Sequence, residues 1–310
     1  MHYSPAPMHI PDGFLTVLVS AFCWAITIAL DGIAISRTNK QLGERQVPLM
    51  GIMAAFIFAA QMINFPVAGG TSGHLLGGAL AAIALGPWAA MLVMTSVIAV
   101  QGLLFQDGGL TVMGANILNM GLLTCIVGYG LYRMAIGRGR TAKLIAAGIA
   151  AWLSVMTGAL ATSVELWLSS TIQLRLVIPA MLGVHALIGI GEALITVAAV
   201  AFILRTRPDL LNEGSVSAQG SRGWIAAGIL VALVVVLLSP LASVDPDGLN
   251  RVALNLGFFS SAHTGSGPLA GYTLGVLGKN AISRIAAGAI GLLVVLALAV
   301  LAGRALQRKS

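Results

Sequence analysis

The organisation of this chain depends on residues 75–105, which read LLGGALAAIALGPWAAMLVMTSVIAVQGLLF. The stretch carries no charged residue, and Pro87 divides it into a short, glycine-interrupted run and a longer run over 88–105. A helix needs about 20 apolar residues to cross the hydrocarbon core of a membrane. Whether these two runs cross separately determines on which side of the membrane every later segment lies.

Similar apolar runs recur along the chain, which is 58% hydrophobic and only 9% charged. Because soluble domains carry roughly a quarter charged residues, the composition indicates an all-α polytopic membrane protein and excludes an ordinary soluble one. The runs cover residues 14–36, 47–65, 75–86, 88–105, 112–133, 143–168, 177–204, 223–243 and 282–303.

The basic residues favour two crossings on either side of Pro87. Thirteen of the 17 Lys and Arg then fall on one face, whereas a single crossing breaks this pattern. That face is predicted to be cytoplasmic, since cytoplasmic loops are enriched in Lys and Arg. We therefore expect about nine spans, with the N-terminus outside and the C-terminus inside, and topology rather than nucleic acid explains the net charge of +7. The thirteen are Arg37, Lys40, Arg45, Arg133, Arg138, Arg140, Lys143, Arg205, Arg207, Arg222, Arg304, Arg308 and Lys309.

Polar residues inside the apolar runs are the candidates for function. His74 follows glycines in residues 68–78, where non-helical backbone is tolerated at membrane depth only if it is buried in protein or lines a cavity. Spacing alone does not distinguish between two roles for His74. The residue is either functional or a structural histidine that is hydrogen-bonded to a neighbouring carbonyl. His185 and Glu192 are seven residues apart, so they share a helix face that should point into the bundle.

Two further patterns concern chemistry. Asn116 and Asn119 are placed to line a path, although interhelical hydrogen bonding is their simpler role. A Met-His pair occurs twice near the start, at Met1-His2 and Met8-His9. A chain that begins with Met-His offers its α-amine, the histidine amide nitrogen and the imidazole Nδ1 as three in-plane donors, which suits Ni(II) or Cu(II).

Three stretches of this sequence together resemble the CbiM/NikM family, the substrate-binding components of energy-coupling factor transporters for cobalt and nickel. The resemblance covers residues 8–204. The stretches are MHIPDGFL at 8–15, GGTSGHL at 69–75 and HALIGIGEALIT at 185–196.

A second resemblance covers the end of the chain. The stretch SPLASVDPDGLN at 239–250 and the residues after it look like the PDGLE domain, a NikN-type partner often fused to this family, although Asn250 stands where the signature has Glu. Together the resemblances imply an N-terminal extension at 1–7, a seven-helix metal-binding bundle at 8–204, a cytoplasmic linker at 205–222 and a two-helix unit with an external loop at 223–310.

The family resemblance also implies a metal site. The ligands would be the α-amine of Met8, the amide and imidazole nitrogens of His9, and His74, on a segment that plugs the bundle from outside. His185, Glu192, Asn116 and Asn119 are candidates to orient these ligands.

Residues 1–7 depart from the family pattern, because a Met8 nitrogen that follows Pro7 is a peptide amide and not an amine. Translation could begin at Met8, a protease could remove the extension, or Met1-His2 could form the chelate itself.

The resemblance implies high-affinity uptake of Ni(II), with Co(II) next, and no prosthetic group. The chain would capture the ion at the inner (plasma) membrane, together with a CbiQ/NikQ-like membrane coupling protein and CbiO/NikO-like ATPase subunits. The sequence itself has no ATP-hydrolysis motif. One alternative is a secondary metal or cofactor transporter that needs no ATPase. Another, a membrane enzyme such as an intramembrane protease, is disfavoured because no second ligand histidine lies near His185.

The predicted orientation can be tested with a reporter fused to the C-terminus. Because the basic loops are expected inside, a cytoplasm-dependent reporter should be active and a periplasm-dependent one inactive. An external C-terminus would contradict the predicted number of crossings.

Overall fold

The computed structural model describes residues 8–40, 46–206, 208–211, 223–263 and 265–307. Within these residues each of the nine predicted apolar runs contains a helix, so the all-α polytopic fold is confirmed. The elements are α1 (Val17–Asn39), α2 (Gln46–Gln61), β1 (Phe65–Val67), β2 (Thr71–Gly73), α3 (Gly78–Leu85), α4 (Pro87–Phe105), α5 (Met113–Ala135), α6 (Arg140–Leu168), α7 (Leu174–Thr206), α8 (Gly223–Leu238), α9 (Gly248–Leu256) and α10 (Ala281–Gln307). The Met1-His2 pair and most of the 205–222 linker lie outside the described residues.

Seven helices in the described part of the chain are long and apolar enough to cross a membrane. The two shorter helices that coincide with predicted spans are α2, with 16 residues, and α3, with eight. Eight helical residues rise only about 12 Å, less than half of a hydrocarbon core, so α3 cannot cross alone. The boundary at Pro87 has a local cause: Gly86 takes a positive φ of 77° after α3, and Pro87 begins α4.

The glycine-rich segment before α3 is not helical. Strands β1 and β2 pair as a short antiparallel hairpin, with Phe65 opposite Gly73. Residues 71–75 are buried. This arrangement confirms the predicted non-helical backbone around His74, covered by protein as low-dielectric surroundings require.

The C-terminal helices α8 and α10 pack along α2, and α10 also contacts α4. Glycines permit this close approach. A Cβ added to Gly228 would lie 2.6 Å from the Ile52 side chain, and one added to Gly51 would lie 2.6 Å from Val300. Small residues at such contacts are the usual basis of helix association in membranes, where apolar side chains gain little by leaving lipid. Helix α2 is consequently enclosed by both parts of the chain.

Helix α3 packs against α5 through Gly128, where an added Cβ would lie 2.6 Å from the Cα of Ala79. Gly128→Leu should therefore force α3 and α5 apart and lower the free energy of unfolding by about 1–3 kcal/mol. Gly130→Leu is the matched control, since nothing lies within 4 Å of the position of its Cβ. Thermal unfolding in detergent should separate the two variants, and equal midpoints would contradict this packing.

Candidate metal centre

Residues 8–15 form a plug that enters the helix bundle ahead of α1. The side chains of Met8, His9 and Ile10 are buried, and Phe14 is completely so. Asn116 of α5 holds the plug by two hydrogen bonds: its Oδ1 accepts from the Ile10 amide at 3.0 Å, and its Nδ2 donates to the Ile10 carbonyl at 3.1 Å. These bonds satisfy backbone groups that would otherwise be costly to bury.

The turn after the plug is held between two loops. The Asp12 carboxylate accepts hydrogen bonds from the amides of Leu110 and Thr111, at 3.1 and 3.0 Å. The Asp12 carbonyl accepts from the His263 amide at 2.8 Å, in a loop of the C-terminal unit. Gly13, with a φ of 92°, lies directly beneath the Ser261 carbonyl, a position that no larger residue could occupy.

Beneath the plug lies a cavity of about 70 Å³, which has room for an ion and few waters. The His9 and His74 rings meet here with their centroids 5.7 Å apart and their planes at 54°. The cavity also brings together most of the polar residues singled out in the sequence. Its polar and main-chain lining includes Met8, His9, His74, Asn116, Asn119, Thr162, His185, Asp247 and Gly248.

The two candidate histidine ligands are 2% and 7% exposed, for His9 and His74 respectively. Nδ1 of His9 lies 3.1 Å from the main-chain oxygen of Asp107. Within the described residues its Nε2 is buried without a hydrogen-bond partner. Nδ1 of His74 lies 3.0 Å from the Leu75 carbonyl oxygen. A chelate through His9 Nδ1 requires that nitrogen to give up the Asp107 carbonyl, so the two contacts exclude each other.

His185 and Glu192 both point inward from α7, as predicted, but they do different things. His185 lines the cavity, and its Nδ1 lies 2.7 Å from the Met181 carbonyl oxygen. Glu192 is fully buried, and its carboxylate accepts hydrogen bonds from the amides of Leu76 and Gly77 at 2.6 and 2.9 Å. Glu192 therefore orients the non-helical segment that carries His74.

Asn119 makes the interhelical hydrogen bonds predicted for it. Its Nδ2 donates to Glu165 and Thr162 of α6, at 2.7 and 3.2 Å. It lies in a π-helical stretch of α5, Ile117–Leu122, a local irregularity that often marks functional positions. Asn116 instead bonds the plug, which the sequence pattern did not indicate.

Three residues at the site were missed in the sequence. Asp107, in the loop after α4, accepts a hydrogen bond from the Met8 nitrogen at 2.6 Å, and the Tyr272 hydroxyl donates to the same carboxylate at 2.5 Å. Asp247, in the Pro-Asp-Gly signature, lines the cavity and caps α9 by accepting from the Asn250 amide at 2.7 Å. Only Asp247 had a signal in the sequence, because it belongs to the Pro-Asp-Gly motif.

Burial disfavours charge on two of these groups. It raises the pKa of Asp247 to about 8, and the nearby Asp107 adds to the effect. It also raises the pKa of Tyr272 well above its usual value, again with a contribution from Asp107. At neutral pH Asp247 therefore stands in the cavity wall as a carboxylic acid, and Tyr272 is a phenol.

No three His, Cys, Asp or Glu side chains within the described ranges cluster closely enough to hold a metal ion. A metal held in this cavity therefore needs donors beyond these four side-chain types, such as main-chain nitrogens or water. Such donors are present at the start of the plug, whose buried backbone lies beside the His9 and His74 imidazoles.

The raised pKa of Asp247 predicts a pH-dependent stability. Between about pH 4 and pH 8 the folded chain keeps a proton that the unfolded chain releases, so the free energy of unfolding should fall as pH rises through this window. Asp247→Asn keeps a capping oxygen but cannot ionise. The thermal midpoint of this variant, measured without added metal, should rise relative to that of the unsubstituted chain as the pH increases from 5 to 8.

Asp247→Ala is the control for the cap. It removes the oxygen that accepts from Asn250 and should destabilise the chain by about 1 kcal/mol even at low pH. If Asp247→Asn and the unsubstituted chain change in parallel with pH, the buried acid does not titrate in this window.

Comparison with known proteins identifies the family of the chain. Residues 9–210 match CbiM, the cobalt uptake substrate-specific transmembrane region, and residues 222–308 match the PDGLE domain. A relative from Archaeoglobus fulgidus, whose assignment as a fused nickel transport protein NikMN is itself provisional, is 38% identical over 293 residues, 94% of this chain and 96% of the relative. The fused nickel transport protein NikMN of Rhodobacter capsulatus is 33% identical over 248 residues, 73% of this chain and 71% of that protein.

A crystal structure of a truncated transition metal transporter shares the fold. It is 36% identical in sequence, matches 64% of this chain and 99% of its own, and gives a TM-score of 0.58. The helices, the inserted plug and these matches lead to one assignment: the chain belongs to the CbiM family of metal transport proteins, in a fused form that also carries a PDGLE domain.

Proposed function

We propose that this protein captures Ni(II), with Co(II) as the next candidate, for uptake by an ATP-driven energy-coupling factor transporter in the inner (plasma) membrane. The observation that carries the proposal is the pair of buried imidazoles, His9 and His74, at a small cavity beside the start of the plug. The metal is the cargo in this scheme, and the scheme calls for no prosthetic group.

The two rings lie close enough to approach one ion. With a metal–nitrogen distance of about 2 Å and about 1.1 Å from ring nitrogen to ring centre, two imidazoles on one ion have centroids about 6 Å apart when trans and about 4.4 Å apart when cis. In the proposed square plane they are cis, because the amide nitrogen lies between the amine and the His9 imidazole, so the separation of 5.7 Å has to shorten by about 1 Å when the ion binds. The proposed coordination comprises these two imidazoles, the Met8 amine and the His9 amide nitrogen.

An all-nitrogen tetragonal site favours Ni(II) over Co(II) by geometry, and Cu(II) would compete if it were available. The names of the relatives point in the same direction, since both fused relatives are described as nickel transport proteins. Cobalt stays second because the CbiM domain takes its description from cobalt uptake.

The proposed site needs a free amine at Met8, and therefore a chain that starts there after initiation or processing. The Met8 nitrogen already donates to Asp107 at 2.6 Å, a contact that a metal-bound amine can keep because it retains N–H groups. Energy would come from separate coupling and ATPase subunits, because this chain contains no ATP-hydrolysis motif.

The experiment is intact-mass measurement of the membrane-extracted protein with bound metal, for chains that begin at Met1 and at Met8. The Met8 form should carry one Ni(II), and His9→Ala and His74→Ala should each weaken binding by at least about a hundredfold, since even outer contacts of metal ligands are worth 10–100-fold. His263→Ala is the matched control, because that histidine is exposed and lies outside the cavity lining.

Two results would count against the proposal. The first is a Met8 form that binds neither Ni(II) nor Co(II). The second is metal uptake in cells that survives loss of both His9 and His74. Transport by this chain alone in liposomes would favour the secondary-transporter alternative and remove the need for ATPase partners.

A further inference from the structure

A divalent ion in the proposed site carries excess charge. One deprotonated amide offsets one unit, and the two imidazoles and the amine are neutral, so the chelate keeps a net charge of +1. Because burying an unpaired charge is expensive, a nearby anion should accompany the ion. This argument rests on the proposed function and asks which residue is that anion.

Asp107 has the position that this role requires. Its side chain is 3% exposed, and its Oδ1 accepts from the Met8 nitrogen at 2.6 Å. Its main-chain oxygen lies 3.1 Å from Nδ1 of His9, which is the contact that chelation through this nitrogen would replace. The next residue, Gly108, has a φ of 94°, and an added Cβ there would lie 2.9 Å from the Cβ of His9. The loop after α4 is therefore fitted against both residues of the proposed chelate.

Asp247 is the carboxyl group that lines the cavity itself, and it is less suited to the role. Its Oδ1 is committed to the Asn250 amide at the start of α9. Burial raises its pKa to about 8, so at neutral pH it is a neutral acid.

The second oxygen of Asp107 belongs to a contact between the two units. The Tyr272 hydroxyl donates to Oδ2 at 2.5 Å, and its ring stacks on Phe105 of α4 with centroids 4.9 Å apart. Tyr272 lies in the C-terminal part of the chain, residues 222–308. Both Tyr272 and Gln106 have positive φ, 57° and 55°, a conformation that bulky side chains adopt only where their surroundings enforce it.

We infer that Asp107 is a positioning residue that balances the charge of the bound ion and orients the Met8 nitrogen. Tyr272 holds this carboxylate in place, so the PDGLE domain contributes directly to metal affinity. Removal of the charge should weaken binding without removing any ligand.

The test is a titration with Ni(II), with binding followed by the ligand-field absorption of the ion. The protein is the form of the chain that binds the metal, with its C-terminal domain included. Asp107→Asn keeps an acceptor for the Met8 nitrogen but loses the charge, and we expect about 10–100-fold weaker binding. Asp107→Glu restores the charge and should recover part of that loss. Tyr272→Phe removes only the hydroxyl and should weaken binding by about 3–10-fold, within the range of one typical intramolecular hydrogen bond.

The matched control is Asp245→Asn, which removes an acid from the same external loop as Asp247 without contact with Met8 or Tyr272. The absorption spectrum of the bound Ni(II) should be unchanged in all variants, because the four nitrogen ligands remain. A thermal unfolding transition shows that each variant is folded. If Asp107→Asn does not fold, the Ni(II) affinities of Asp107→Glu and Tyr272→Phe test the inference.

A purely structural role predicts a different pattern, with Asp107→Asn close to the unsubstituted chain and Asp107→Glu weaker than both. That pattern, or a Tyr272→Phe variant with unchanged affinity, would overturn the inference. Failure of the proposed function is separate from this outcome: there the unsubstituted chain would bind no metal, or His9→Ala would bind as well as it does.

Discussion

The burial of the plug, residues 8–15, is the constraint on which the rest of the structure depends. A non-helical segment inside a membrane bundle brings backbone N–H and C=O groups that must all find partners. Asn116 satisfies both groups of Ile10, and Asp12 bonds the loop after α4. The non-helical turn that carries His74 is satisfied in the same way by Glu192. Asn116, Asp12 and Glu192 thus support two irregular backbone segments, and these segments bring the two imidazoles together.

The same constraint explains why the two parts of the chain form one site. The loop between α8 and α10 contacts the plug through the Asp12–His263 pair and the edge-to-face contact of Phe14 with Phe258, whose centroids are 5.1 Å apart. The loop is anchored to the β-hairpin, where the Ser72 amide donates to the Pro246 carbonyl at 2.9 Å. Gly248 lies over His185 so closely that a Cβ would be 2.9 Å from its ring. The cavity wall is therefore complete only when both domains are present.

The sequence predicted what depends on local pattern and left out what depends on distant contacts. Apolar runs and Pro87 predicted the helices, because length and breaker residues act locally. The glycines before His74 predicted a non-helical segment, and the seven-residue spacing placed His185 and Glu192 on one inward face. Asp107 was missed because an acid in a short loop gives no signal of its own. Its partners Met8 and Tyr272 lie 99 and 165 residues away, and only the folded chain brings them together.

A capture component has to release its ion as well as bind it, and the proposed ligand set bears on release. Three of the four nitrogen donors belong to the adjacent residues Met8 and His9, on a segment held largely by hydrogen bonds to its main chain. A conformation in which the plug withdraws would remove these three donors together and leave the ion on His74 alone. Release then requires a second conformation with lower affinity for the ion. The energy source of transport would shift the population toward that conformation. Because the Tyr272–Asp107 and Asp12–His263 contacts join the plug to the C-terminal unit, a shift of that unit would be transmitted to the plug.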